Sequence, residues 1–149
     1  MILNVRHTGI VVNDLEASLD FYTKKLGFIV KTRVDEDQAF IDTILGLNKS
    51  QLTTIKLTLN DNTMIELLDF KLDARTTINR KIVDAGPTHM AFTVDDLDKT
   101  YELFVQESIK FISEPEISPN GFAKVAFCIA PEGTYIELVE LMGEPPIEK

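Results

Sequence analysis

Two histidines occur in the chain, His7 and His89, and each opens one of two matching segments. The first reads His7-Thr8-Gly9-Ile10-Val11-Val12-Asn13-Asp14-Leu15-Glu16, the second His89-Met90-Ala91-Phe92-Thr93-Val94-Asp95-Asp96-Leu97-Asp98. A second matching pair places Glu66 in Asp61-Asn62-Thr63-Met64-Ile65-Glu66-Leu67 and Glu137 in Glu132-Gly133-Thr134-Tyr135-Ile136-Glu137-Leu138. Glutamate is disfavoured in strands and is seldom fully buried without a partner. Glu66, with Met64 and Leu68 two residues away, and Glu137, with Tyr135 and Val139, are therefore unusual positions for an acid. Asp69 and Glu140, at the ends of the same strands, are expected to point to water. Together His7, Glu66, His89 and Glu137 make two imidazoles and two carboxylates, a borderline donor set suited to Zn, Ni, Co, Fe(II) or Mn. Four such ligands around an octahedral ion leave two positions for water or substrate oxygens.

The elements that must position these residues follow from the repeat, which divides the chain near its middle and suggests a duplication. Residues 5–12 and 89–94 read as strands, each running into an Asn-Asp or Asp-Asp pair able to cap a helix. Leu15, Leu19, Tyr22 and Leu26 recur at helical spacing over 15–26, as do Leu97, Tyr101, Phe104 and Val105 over 97–108. Gly27 is placed to end the first helix. Strands are then expected over 28–34, 52–59 and 63–69, and again over 110–113, 122–129 and 134–141. The fold class is α+β, each half a strand, a helix and three strands. Residues 70–87 connect the halves, and the tail from Gly143, with Pro145-Pro146, is expected outside the core. The first half is longer by about eleven residues. These are assigned to a short helix around Phe40–Leu47, walling the site, with aliphatic side chains that either contact substrate or fill the core.

Strand alternation sets the faces. His7 shares a face with Gly9 and Val11, and His89 with Ala91 and Thr93. Ile10 and Val12, and Phe92 and Val94, point the other way, toward the helices. The expected picture is a sheet with helices behind it and both His–Glu sets on its open face.

Composition narrows the function classes. At 149 residues and 44% hydrophobic, the chain is the size of one globular domain over 1–149, with repeats at about 4–70 and 88–141. The net charge of −9 argues against nucleic acid or an anionic membrane as partner. No apolar run is long enough to span a bilayer, and Arg6 interrupts the N-terminus too early for a signal peptide. Cys128 is the sole cysteine, so no disulfide or thiolate metal site forms within the chain, which fits a reducing cytoplasm. It reads as a small buried side chain. Arg33 and Lys124 could meet a substrate carboxylate but read better as surface charge, as do Arg75, Arg80 and Lys81 in the connector.

The frame His7-Thr8-Gly9-Ile10-Val11-Val12-x-Asp14-Leu15, with Phe21-Tyr22 and Leu26-Gly27-Phe28, then Ile65-Glu66-Leu67, His89-x-Ala91-Phe92-x-Val94 and Pro131-Glu132-Gly133-x-x-Ile136-Glu137-Leu138, resembles the vicinal oxygen chelate proteins. These include glyoxalase I, methylmalonyl-CoA epimerase, extradiol dioxygenases and bleomycin-resistance proteins. The resemblance implies tandem βαβββ modules forming a cupped eight-stranded mixed sheet around a divalent metal, commonly in a homodimer. It carries His7, Glu66, His89 and Glu137 onto the four metal ligands of the glyoxalase I pattern. It also implies a glyoxalase I-like lyase, with proton abstraction beside a carbonyl and Glu137 as the base, Glu66 serving the opposite stereochemistry. The implied substrate is a small thiol adduct or thioester. Val11 and Phe70 stand where glutathione-dependent members carry Arg and Asn, so the resemblance does not extend to those positions. An acyl-CoA epimerase, a non-heme ring-cleaving dioxygenase and an antibiotic-binding protein remain as alternatives.

Overall fold

The computed structural model describes residues 1–61, 63–71 and 80–143 of the chain. Arg75 and the proline pair of the tail lie outside that range. The chain divides into two compact units, Met1–Thr77 and Ile78–Lys149.

In the first unit β1 (Thr8–Val11) leads into α1 (Leu15–Asp20), and β2 (Ile29–Asp35), α2 (Gln38–Leu45), β3 (Leu52–Thr58) and β4 (Met64–Phe70) follow. Asp14 caps α1 as its spacing predicts, its carboxylate accepting the Ala17 N–H at 3.0 Å. Beyond Asp20 the helix widens into a π-helical segment over Phe21–Lys25, with Leu26 N–H donating to Phe21 O at 3.1 Å. Phe21 and Tyr22, adjacent in sequence, are thereby both buried, and Tyr22 stacks edge-on against Phe28. Gly27, at φ +75°, closes the turn.

The second unit repeats the plan with β5 (His89–Thr93), α3 (Leu97–Gln106), β6 (Glu116–Ile117), β7 (Ala123–Ile129) and β8 (Tyr135–Leu141). Asp96 caps α3 through the Lys99 N–H at 3.0 Å. The strand expected over 110–113 is only begun there. Ile112 N–H donates to Phe127 O and Ile129 N–H to Lys110 O, and Phe111 bridges Cys128. Ser113-Glu114-Pro115 then interrupts the ladder, since proline has no N–H to offer, and pairing resumes at Glu116–Ile117.

The eight strands form two four-stranded mixed sheets, ordered β1-β4-β3-β2 and β5-β8-β7-β6. In each, the first strand runs parallel to the last and the remaining pairs are antiparallel. The α+β class and the duplicated βαβββ plan are thus as expected, with the strands divided between two sheets. Helices pack on one face of each, α1 against β4 and α3 against β7 and β8. On that side Val12, Ile55, Leu57, Ile65 and Leu67 form the core of the first unit, and Leu97, Cys128, Ile136 and Leu138 that of the second. Burial pushes the Cys128 thiol up to about 12, so it is an inert packing residue at neutral pH. No described helix is long and apolar enough to cross a membrane.

The extra length of the first unit forms α2, as expected. Its Ile41 is buried while Phe40 and Ile44 are exposed. Gly46, at φ +66°, ends it. Asp42 then ties the helix to the start of β3, accepting Ser50 Oγ at 2.6 Å, Ser50 N–H at 3.0 Å and Lys49 N–H at 2.7 Å. The Ser50 hydroxyl, opposed by desolvation and helped by the backbone N–H groups, holds this carboxyl below its ordinary value of 3.8. A carboxyl lowered in the folded state adds stability above its unfolded pKa and loses it as pH falls through the folded value. Asp42→Asn is therefore expected to lower the thermal midpoint at pH 7, with the gap to the wild type closing below pH 3.8, as calorimetry at both pH values would show.

Candidate functional site

The parallel pairs β1–β4 and β5–β8 carry the candidate residues. Their registers set Gly9 beside Glu66 and Ala91 beside Glu137. Each histidine lies two residues before the small member of its pair, so it shares a face with the glutamate. His7 stands immediately ahead of β1, and His89 is the first residue of β5. The small side chains between leave room for the ring; at Gly9 even a Cβ would meet Leu68 Cδ1 at 3.2 Å.

In the first unit His7 Nε2 lies 3.1 Å from Glu66 Oε2, and in the second His89 Nε2 lies 3.1 Å from Glu137 Oε2. The two glutamate side chains are 13% and 22% exposed, well short of free solvation, so each needs its partner. A separation of 3.1 Å suits a hydrogen bond. It also suits two neighbouring ligands of one octahedral ion, whose donors sit about 3 Å apart when each bond is about 2.1 Å. Neutral imidazole nitrogen and carboxylate oxygen are the donors such an ion takes. Each unit supplies one such pair, and among the described residues no three His, Cys, Asp or Glu side chains cluster.

The surroundings of the two pairs differ. His89 Nδ1 lies 2.8 Å from Thr88 Oγ1, and its ring packs edge-on against Phe127 at 5.3 Å. The Thr88 hydroxyl serves either tautomer, donating to Nδ1 when Nε2–H meets Glu137 and accepting from Nδ1–H when Nε2 is left free as a ligand. His7 Nδ1 is buried with no hydrogen-bond partner among the described residues. Glu66 has a second cation: Lys56 is its cross-strand neighbour on β3, with Nζ 3.5 Å from Oε1. The corresponding neighbour of Glu137 on β7 is Phe127.

Neither Lys56 nor Thr88 stood out from the sequence. Lys56 was within reach of it, because a reversal centred on Asp61 sets residue 56 opposite residue 66. Thr88 adjoins His89 but carries no periodic signal.

The expectation for two strand-end acids is corrected. Asp69 and Glu140 do not point to water. Strand alternation turns both to the helix side, where Asp69 is buried and paired with Lys71. Glu140 accepts the Leu97 N–H at 2.8 Å, satisfying a free donor at the start of α3. Lys124 joins the same side, paired with Asp98 at 2.6 Å, and the Asp98 carboxylate holds its ammonium pKa above the usual value. Arg33 reaches Glu16 at 3.7 Å, away from the open face. Arg80 donates to Ala85 O at 2.8 Å, and the Lys81 backbone N–H is held by Asp84.

Residues 4–138 match the model of the Glyoxalase/Bleomycin resistance protein/Dioxygenase superfamily. The chain is 27% identical over 154 residues to a lactoylglutathione lyase of Schizosaccharomyces pombe, covering 95% of this chain and 49% of that protein. It is 26% identical over 153 residues to a 2-epi-5-epi-valiolone epimerase of an Actinomyces species, covering 97% and 83%. A glyoxalase family protein from Bacillus cereus shares the fold, with a TM-score of 0.86 at 19% identity over 96% of this chain and 97% of that one.

The correction at Glu140 is open to test. Glu140→Ala leaves the Leu97 N–H without its acceptor and is expected to cost about 1–3 kcal/mol in urea unfolding. An unchanged midpoint would return Glu140 to the solvent.

Proposed function

Since the chain belongs to the Glyoxalase/Bleomycin resistance protein/Dioxygenase superfamily, we propose that it is a glyoxalase-like, metal-dependent lyase or isomerase that moves a proton next to a carbonyl. His7, Glu66, His89 and Glu137 would together hold one divalent ion. The observation that carries this reading is the repetition of one Nε2···Oε2 distance, 3.1 Å, on corresponding strands of both units. Bound there, such an ion would supply Lewis acidity toward a carbonyl oxygen and the negative charge that proton loss leaves beside it.

The side chains divide the remaining work. Glu137, with no Lys or Arg paired to it among the described residues, is the base that removes and returns the proton. Phe127 and Val139 flank it and keep its surroundings apolar. Thr88 orients His89. Glu66, paired with both His7 and Lys56, serves the opposite stereochemistry. Val11 and Phe70, on the first unit's open face, offer no polar atom for a glutathione carboxylate. A small thiol adduct or thioester is the substrate class, and an epimerase of such a compound is the second reading, supported by the epimerase relative. A homodimer in solution completes the proposal.

Solvent deuterium is the direct assay. The metal-reconstituted protein, screened with hemithioacetals and 2-methyl acyl thioesters, is expected to exchange the acidic C–H of its substrate, and Glu137→Gln to slow this by about 10²–10⁴-fold. Exchange at the wild-type rate in that variant would remove Glu137 as the base. A return of label to the neighbouring carbon indicates isomerisation, and to the same carbon epimerisation.

A further inference from the structure

The two half-sites share a geometry but not a charge. Among the register-paired residues on the face of the His–Glu pairs, in both sheets, Lys56 is the one Lys or Arg. Its side chain is 31% exposed, and its ammonium leans on Glu66 Oε1 at 3.5 Å. A cross-strand ion pair would account for the contact, but the scaffold does not require a lysine there, because the corresponding place in the second unit is filled by Phe127. A positive charge thus stands beside a carboxylate proposed to face a cation.

Charge balance shows what that arrangement favours. In the metal-site reading above, Glu66 and Glu137 would together neutralise a divalent ion. Lys56 is then a surplus positive charge on a partly desolvated face, with its former counter-ion shared. The group that completes the site most favourably is therefore an anion.

We propose that Lys56 is a specificity-determining residue that receives an anionic oxygen of the substrate. The substrate class is a small carbonyl compound carrying a carboxylate, or a comparable anionic group, close to its reacting carbon. This rests on the metal-site reading above and adds to it the identity of the charged group. Lys56 contributes a charge-assisted hydrogen bond to the bound molecule and is not itself a ligand or a base.

The test is calorimetric titration of Co(II)-loaded wild type, Lys56→Met and Lys56→Arg with two probes, each bearing vicinal oxygens on three carbons. One is the anion pyruvate, the other the neutral hydroxyacetone. Lys56→Met is expected to weaken pyruvate about tenfold or more, to leave hydroxyacetone unchanged, and to keep its cobalt; Lys56→Arg is expected to recover most of the loss. Equal pyruvate affinity in wild type and Lys56→Met overturns the proposal. So does a parallel loss of both probes, a loss of cobalt from Lys56→Met, or a wild type that binds pyruvate no better than hydroxyacetone. A wild type that takes up no cobalt is a different failure, overturning the metal reading and this inference with it.

Discussion

The pairing of an imidazole with a half-buried carboxylate across adjacent parallel strands is the constraint around which each unit is arranged. A glutamate with apolar same-face neighbours loses solvation and must find compensation. Strand alternation allows that compensation only from a residue on the same face, and the parallel registers put His7 and His89 within reach. The first strand can run parallel to the last only if a helix carries the chain back across the sheet. The Asp14 and Asp96 caps, the buried aromatic packing of the first unit and the Glu140 acceptor all serve those crossings, on the face away from the histidines.

Duplication repeated the pair but not its surroundings. In the second unit a hydroxyl and an aromatic edge contact the histidine. In the first, Lys56 shares the glutamate and His7 Nδ1 is left without a partner among the described residues. The first unit also carries α2, tied down through Asp42 and Ser50. The glutamate of the first pair thus has a lysine as its cross-strand neighbour and that of the second a phenylalanine.

Much of this was legible in the residues. The repeat, the helix caps at Asp14 and Asp96, α2 and the face assignments of His7, Glu66, His89 and Glu137 follow from periodicity and alternation, which are local signals. What sequence reading missed depends on partners distant along the chain. Asp69 and Glu140 look like solvent-facing strand ends until a helix terminus or a lysine is brought to them. The strand expected over 110–113 meets β7 only through Lys110, Phe111 and Ile112, and its ladder resumes beyond Pro115 at Glu116. Lys56 follows from a reversal at Asp61 only when the register is exact, because one step would have placed it on the opposite face.

The proposed chemistry requires both His–Glu pairs to act on one ion. Titration of the metal-free chain with Co(II), followed by calorimetry and visible absorption, reads this out. One ion per chain is expected, with binding lost or greatly weakened in His7→Ala and in His89→Ala alike. Two independent ions per chain, or a single ion that survives both substitutions, would contradict it.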